Sequence, residues 1–303
     1  MIINIHILTL ILRNDLFKKL SYTIYKILYF IDSLLNSIFK RRFLIWFNEF
    51  IQNDSYVNVK VLDQKILFFC PNQITRWRVE TLFTKEPETI EWIDTFKENN
   101  EKIIFWDIGG NIGLYSIYAA LKHRNIQVIS FEPSTSNLRI LSRNISINKL
   151  EDKIIIHQMP LTNVSNQYLM MEESEFTEGW AMNTFGAGID FEGKPMKAKN
   201  KYKILGTSIN YLINNKILPI PHYIKIDVDG IEELILDGAS EYLFRPEIKS
   251  ISIEINQDFK TQHTKILEIM KNAKFVLKHK KHAESMKYSK FSNFYNFIFD
   301  KKI

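Results

Sequence analysis

The chain has 303 residues, 46% of them apolar and 24% charged, enough for one α/β domain with an extension or for two small domains. Its single cysteine, Cys70, excludes an intrachain disulfide and suits a reducing, cytoplasmic setting, and its scattered histidines disfavour a structural zinc site. The net charge of +6 gathers at one end, because Arg13, Lys18, Lys19, Lys26, Lys40, Arg41 and Arg42 meet only Asp15, Asp32 and Glu49 within residues 1–50. No stripe of Lys/Arg interleaved with aromatics follows, which argues against a nucleic-acid partner.

Residues 1–12 are apolar but too short to span a bilayer as a helix, and they lack the basic start and the cleavage site of a signal peptide. From Ile24 the pattern is helical, with Ile27, Leu28, Ile31, Leu34, Leu35 and Ile38 on the same face. Residues 1–53 therefore read as a helical, amphipathic, basic extension to a domain spanning 54–303. Such a stripe more often packs on its own domain or on another subunit than on lipid. Peripheral contact with an anionic inner membrane surface is the second reading.

Residues 57–62 and 65–69 form a predicted hairpin around Asp63-Gln64, and a helix over 89–96 follows Pro87. From Glu101 strands alternate with helices, the signature of a parallel sheet covered on both faces. The strands fall at 102–106, 127–131, 153–157, 223–226 and 249–255. Helices fall at 114–123, 134–147 with Ser134 as cap, 230–236 and 264–272. Two closing strands, 274–279 and 291–299, flank a basic loop. The stretch 161–221 is too long for a bare loop and must be partly folded or act as a lid.

The chemistry gathers at Asp107-Ile108-Gly109-Gly110-Asn111-Ile112-Gly113. A strand ends, a carboxylate follows, and glycines that allow close backbone approach lead into a helix start. The Gly-x-Gly-x-x-Gly of dinucleotide proteins is missing, and a carboxylate at this place repels a pyrophosphate. It suits a cationic ligand such as S-adenosylmethionine. Glu132, in Ser130-Phe131-Glu132-Pro133, ends the next strand where an acidic residue accepts hydrogen bonds from ribose hydroxyls. Asp107, Gly109, Asn111, Gly113 and Glu132 are thus the candidate cofactor-binding residues.

With these motifs, the chain resembles the FkbM-type family of S-adenosylmethionine-dependent methyltransferases. The resemblance also rests on Glu86-Pro87-Glu88-Thr89, on Lys225-Ile226-Asp227-Val228-Asp229-Gly230-Ile231-Glu232, on Asp237-Gly238-Ala239 and on Glu254-Ile255-Asn256. It implies a Rossmann-like class I methyltransferase fold, a mostly parallel doubly wound sheet with an antiparallel closing strand. It also implies O-methylation of a sugar, glycan precursor or small metabolite. Gly110, Asp229 and Asn210 stand where the family more often has alanine, glutamate and aspartate.

Asp227 and Asp229 fall at a strand end facing the ligand crevice, with Lys225 on the same strand face as Asp227. One carboxylate can hold the acceptor hydroxyl or take its proton. The plainer readings are a Lys225–Asp227 structural pair, Asp229 capping the helix after Gly230, and Glu232 as a capping residue. Glu254 ends the next strand at the same crevice. Asp227, Lys225, Asp229 and Glu254 are the candidate catalytic residues. Oxygen ligands from Asp227, Asp229 and Glu254 suit magnesium, but no spacing demands an ion and no metal is assigned. The glycine-rich 178–188 reads equally as a lid or as a surface loop. The competing classes are a nicotinamide oxidoreductase and a non-catalytic Rossmann-like scaffold. The missing dinucleotide motif and the intact Asp/Gly/Glu set weigh against them.

Overall fold

In the computed structural model, residues 5–97, 101–282 and 284–302 are described, with side chains from residue 15 onward apart from residue 285. The chain forms two compact units, Met1–Ser55 and Tyr56–Ile303.

The first unit is two helices, α1 (Ile5–Phe39) and α2 (Leu44–Asn53). The helix expected from Ile24 therefore starts much earlier; no Gly or Pro interrupts residues 5–39, so nothing breaks it. Residues 1–4 of the apolar N-terminal stretch lie outside the described residues. The turn between the helices is fixed by Asp32, which is fully buried. It accepts a hydrogen bond from the Leu44 amide at 3.2 Å and pairs with Arg42 at 3.5 Å. Among the described residues, no helix is long and apolar enough to cross a membrane.

The second unit opens with an antiparallel hairpin, β1 (Tyr56–Val61) and β2 (Gln64–Phe69). Its turn is Leu62-Asp63, one residue before the expected place, with φ of 48° and 65°. Two left-handed residues match the twist of the flanking strands. Next comes α3 (Gln73–Glu80), which the periodicity did not reveal. Asn72 caps it by accepting from the Ile74 and Thr75 amides. Helix α4 (Pro87–Asp94) starts at Pro87 itself, where the missing N–H costs nothing.

The alternating region then runs β3 (Ile103–Ile108), α5 (Leu114–Lys122), β4 (Ile126–Phe131), α6 (Thr135–Ile147) and β5 (Ile154–His157). Ser134 occupies the cap position of α6, but its side chain makes no capping bond. The expected folded insert is a separate antiparallel sheet of β6 (Gln167–Glu173), β7 (Asn183–Phe185) and β8 (Asn200–Gly206), followed by α7 (Ile209–Asn214). The chain returns through β9 (Tyr223–Ile226), α8 (Glu232–Asp237), β10 (Ser250–Asn256), α9 (Lys260–Asn272), β11 (Phe275–Lys281) and β12 (Phe294–Lys301).

These strands form one sheet in the order β11-β12-β10-β9-β3-β4-β5. From β10 to β5 it is parallel, while β12 runs antiparallel to both β10 and β11. This is the Rossmann-like, doubly wound sheet with an antiparallel closing strand. Strand β3 shows why it is buried on both faces. Ile103 and Phe105 join the cluster beneath α5 and α6, while Ile104, Trp106 and Ile108 join the opposite one beneath α8 and α9. The strand order reverses between β3 and β9, so their carboxyl ends open a crevice.

Candidate active site

The turn after β3 builds the floor of that crevice. Gly109 has φ +87°, and a Cβ there would lie 1.8 Å from the Asp227 carbonyl oxygen. Only glycine permits β3 and β9 to release their chains side by side at this point. At Gly110 a Cβ would lie 2.2 Å from Ser130 Oγ, so glycine in place of the family's alanine matches the serine of this β4. Asn111 is left-handed (φ 49°), and its amide donates to Glu132 Oε2 at 2.8 Å. Glu132 Oε1 accepts from the Ser134 amide at 2.8 Å. Burial still pushes the Glu132 carboxyl up to about 8 against the pull of these amides.

A cleft of about 840 Å³ lies over this floor. Gly109, Asn111 and Glu132 line its polar part, and Phe131, Pro133, Pro160, Leu161, Met171 and Phe185 its apolar part. Two candidate cofactor residues lie outside it. Asp107 is buried behind the turn, accepting from Ser116 Oγ at 2.6 Å. Its side chain follows Phe105 on the strand period, whereas Ile108 faces the cleft. Gly113 serves the fold, since it enters α5 at φ +90° and a Cβ there would strike Leu141 at 2.6 Å.

The end of β9 supplies the charged groups. Lys225 is buried and pairs with Asp227 at 2.6 Å, with its ammonium 5.1 Å from the centre of the Tyr115 ring. Burial opposes the charge of Asp227, but Lys225 and Lys85 together hold its carboxyl down at about 2. Asp229 takes a left-handed conformation (φ 60°) and accepts from the Met182 amide at 2.6 Å. It does not cap α8. Nor does any side chain at its N-cap, Ile231; Glu232 instead ties down the preceding turn, accepting from the Val228 and Gly230 amides, while its other oxygen takes Gln262 at 2.8 Å. Burial, reinforced by Asp227, raises Asp229 to about 6. Glu254, on β10, lines the same cleft, and burial together with Asp227 and Glu86 lifts it well above the usual carboxylate range.

Lys225 lies beneath the cleft, whereas Asp227, Asp229 and Glu254 line it. Asn210 lies elsewhere, bonded to Ser240 and to the Glu241 amide. Among the described residues, the three carboxylates whose oxygens approach within 4.8 Å of one another are Glu86, Asp227 and Glu254. Asp229 is not in that group. Lys85 pairs with Glu86 as Lys225 does with Asp227, so two of the three charges are already compensated.

Sequence reasoning missed the far wall. Arg78 on α3, and Lys85 just before α4, line the cleft beside the insert's Trp180. The Arg78 guanidinium donates to the Gly179 carbonyl. Asn111 and Asn137 both donate to the Trp180 carbonyl, at 3.1 and 3.0 Å, and Asn137 accepts from the Gly179 amide at 2.8 Å. The glycine-rich stretch is thus bonded across the cleft at several points. The one visible signal was the Lys85-Glu86-Pro87 run, opposite charges set at a helix start.

A second cleft of about 1070 Å³ adjoins the first. Its walls carry Trp77, Phe191, Phe291 and Phe294 with Glu88, His282 and Asn296. Arg78, Lys85, Trp180, Ala181, Asp229 and Glu254 border both spaces.

The first cleft fits S-adenosylmethionine. Asn111 Oδ1, Asn183 Oδ1 and Thr184 Oγ1 are buried in its lining with no partner among the described residues. Each such orphan costs about 1–3 kcal/mol unless a ligand satisfies it. The apolar part suits a flat heterocycle, and the carboxylates suit hydroxyl donors and a cation.

The chain is similar to known methyltransferases. The methyltransferase FkbM domain matches residues 107–277. A curated relative, the hexuronic acid methyltransferase AglP of Haloferax volcanii, is 24% identical over 210 residues, covering 67% of this chain and 75% of the relative. Among solved structures, similarity extends to methyltransferase FkbM from Methylobacillus flagellatus KT, with 14% identity and a TM-score of 0.44. That match covers 75% of this chain and 52% of the other. M. capricolum TrmK, solved with S-adenosylhomocysteine, is 12% identical with a TM-score of 0.41, over 70% of this chain and 67% of the other. The chain belongs to the FkbM methyltransferase family, and S-adenosylmethionine is its methyl donor.

Proposed function

We propose that this methyltransferase acts on a hydroxyl oxygen of a sugar. One observation carries the reading: the cleft over the Gly109 turn and Glu132 and an aromatic, polar cleft meet at Asp229 and Glu254. Aromatic faces such as Trp77, Trp180 and Phe291 suit the C–H face of a sugar ring, and Asn296, Glu88 and Glu254 suit its hydroxyls. The name of the Haloferax relative supports a sugar acceptor as well.

In this reading Gly109, Asn111 and Glu132 hold the cofactor's amino-acid and ribose parts, and Phe131, Pro133, Leu161 and Phe185 enclose its adenine. Bound there, S-adenosylmethionine supplies an electrophilic methyl group on a sulfonium. The chain does the rest. Asp229 Oδ2 is committed to the Met182 amide, which leaves Oδ1 to take the acceptor's hydroxyl proton. Its elevated pKa makes it a base matched to near-neutral pH. Glu254 orients the acceptor by hydrogen bonding. The Lys225–Asp227 pair fixes the strand end, and alignment of donor and acceptor in line provides much of the acceleration.

The test is to incubate the protein with S-adenosylmethionine and a panel of hexuronic-acid and neutral-hexose glycosides, then locate any added CH₂ by tandem mass spectrometry. A methyl on a ring hydroxyl oxygen is expected. Transfer only to a carboxylate or to nitrogen, or no transfer to any glycoside, contradicts the sugar-hydroxyl reading.

A further inference from the structure

Arg78 and Lys85 are the arginine and lysine side chains that border the two clefts. Lys85 pairs with Glu86, as Lys225 beneath the floor pairs with Asp227. Arg78 has no such partner among the described residues. Its side chain makes one hydrogen bond there, from Nε to the Gly179 carbonyl oxygen. The N–H groups of Nη1 and Nη2 are left for a ligand.

The guanidinium is set in place before any ligand arrives. Asn72 caps α3 and donates through its side chain to the Glu178 carbonyl at 3.0 Å and to Glu178 Oε2 at 3.2 Å. Gly179 lies so close to the helix that a Cβ there would come within 2.8 Å of the Thr75 side chain. With α3 seated on the insert, the bond to Gly179 fixes the plane of the Arg78 fork. A fork held this way loses little freedom on binding.

The surroundings indicate what the fork reads. On α3, Ile74 and Trp77 line the second cleft and not the first, so Arg78 shares its helix face with the wall of the second cleft. Against the burial that opposes their ionisation, its charge favours the ionised forms of Asp227 and Asp229, yet it pairs with neither. Burial lifts Glu88 and Glu254 above their ordinary carboxylate values, so they oppose an incoming anion less. A planar fork with two outward nitrogens matches a carboxylate through parallel hydrogen bonds. A phosphate dianion fits less well, because one unpaired cation would face it beside Asp229 and Glu254. Taking the second cleft as the acceptor's site, we infer that Arg78 determines specificity by binding a carboxylate on the acceptor. The substrates are then hydroxylated acids, such as uronic-acid glycosides, rather than neutral alcohols.

Calorimetry of the full chain saturated with S-adenosylhomocysteine, titrated with methyl glucuronide and with methyl glucoside, tests this. The charged sugar should bind at least about 10-fold more tightly than the neutral one. Arg78→Gln keeps an N–H for the Gly179 carbonyl. It should weaken the glucuronide about 10–100-fold, and leave the glucoside and S-adenosylhomocysteine within about twofold. A second pair of probes, 3-hydroxybenzoate and 3-hydroxybenzyl alcohol, separates the charge from the sugar. Preference for the benzoate with no binding of either glycoside refutes the sugar reading and supports the carboxylate site. In the unaltered protein, equal binding of the charged and neutral members of both pairs, or binding of none of them, overturns the inference whether or not the variant folds. So does a preference that survives Arg78→Gln. A loss of S-adenosylhomocysteine affinity as large as the loss of glucuronide affinity overturns it too, because Arg78 would then hold the cofactor's carboxylate.

Discussion

The Met182 amide donates to Asp229 Oδ2 at 2.6 Å, which joins the insert to the end of the central strand β9 where the two clefts meet. A carboxylate held by one oxygen keeps its other oxygen aimed, and burial sets its proton affinity near neutrality.

Asp229→Asn should therefore lower kcat by about 10²–10⁴-fold and disturb S-adenosylhomocysteine affinity far less. In the unaltered enzyme, kcat/KM should rise with pH through about 6 as Asp229 loses its proton. A pH–rate profile checks this. A flat profile between pH 5 and 7, or an Asn variant of near-normal kcat, removes Asp229 as the base.

The Lys225–Asp227 pair predicts an asymmetric double-mutant cycle. Asp227→Asn leaves the buried Lys225 ammonium without its 2.6 Å partner, and should destabilise the fold by about 3–5 kcal/mol in urea denaturation. Replacing both, as Lys225→Met with Asp227→Leu, removes the stranded charge and should cost less than Asp227→Asn alone. A double variant less stable than the single one would show that the ammonium is satisfied by other groups.

Stability of the ligand-free protein should fall as pH rises. Burial pushes Glu132 and Glu232 up to about 8, from an ordinary value of 4.5. Between those values the folded state binds more protons than the unfolded one, so each unit of pH weakens the fold. The contribution is present in full below about 4.5 and is lost by about 8. The melting temperature should thus decline between pH 5 and 8, and Glu232→Gln should flatten that decline. A melting temperature that climbs across the same range contradicts the assignment.

Much of the centre was legible because it is local. Strand β9 falls where its apolar run ends, and the Gly109 turn is dictated by a backbone that no side chain would permit. The Lys225–Asp227 pairing follows from the two-residue strand period alone. What stayed hidden depends on long-range closure. Arg78 reaches Gly179 across 101 positions, and Asn72 reaches Glu178 across 106, so no window of sequence contains either contact. Asp107 was placed in the cleft because its motif is contiguous, but the strand alternation turns it toward Ser116. Asp229 was weighed as a helix cap on position alone, whereas the left-handed turn there sends its carboxylate to the Met182 amide.

The cofactor cleft is the central claim, and calorimetric titration of the full chain with S-adenosylhomocysteine tests it most directly. The unaltered protein should bind one equivalent, with no heat from NADH. Glu132→Ala should stay folded and lose about 1.5–3 kcal/mol of affinity for each ribose hydrogen bond removed. Equal affinity in the folded Glu132→Ala variant, or binding of NADH with no response to S-adenosylhomocysteine, would contradict the placement of the methyl donor over Gly109 and Glu132.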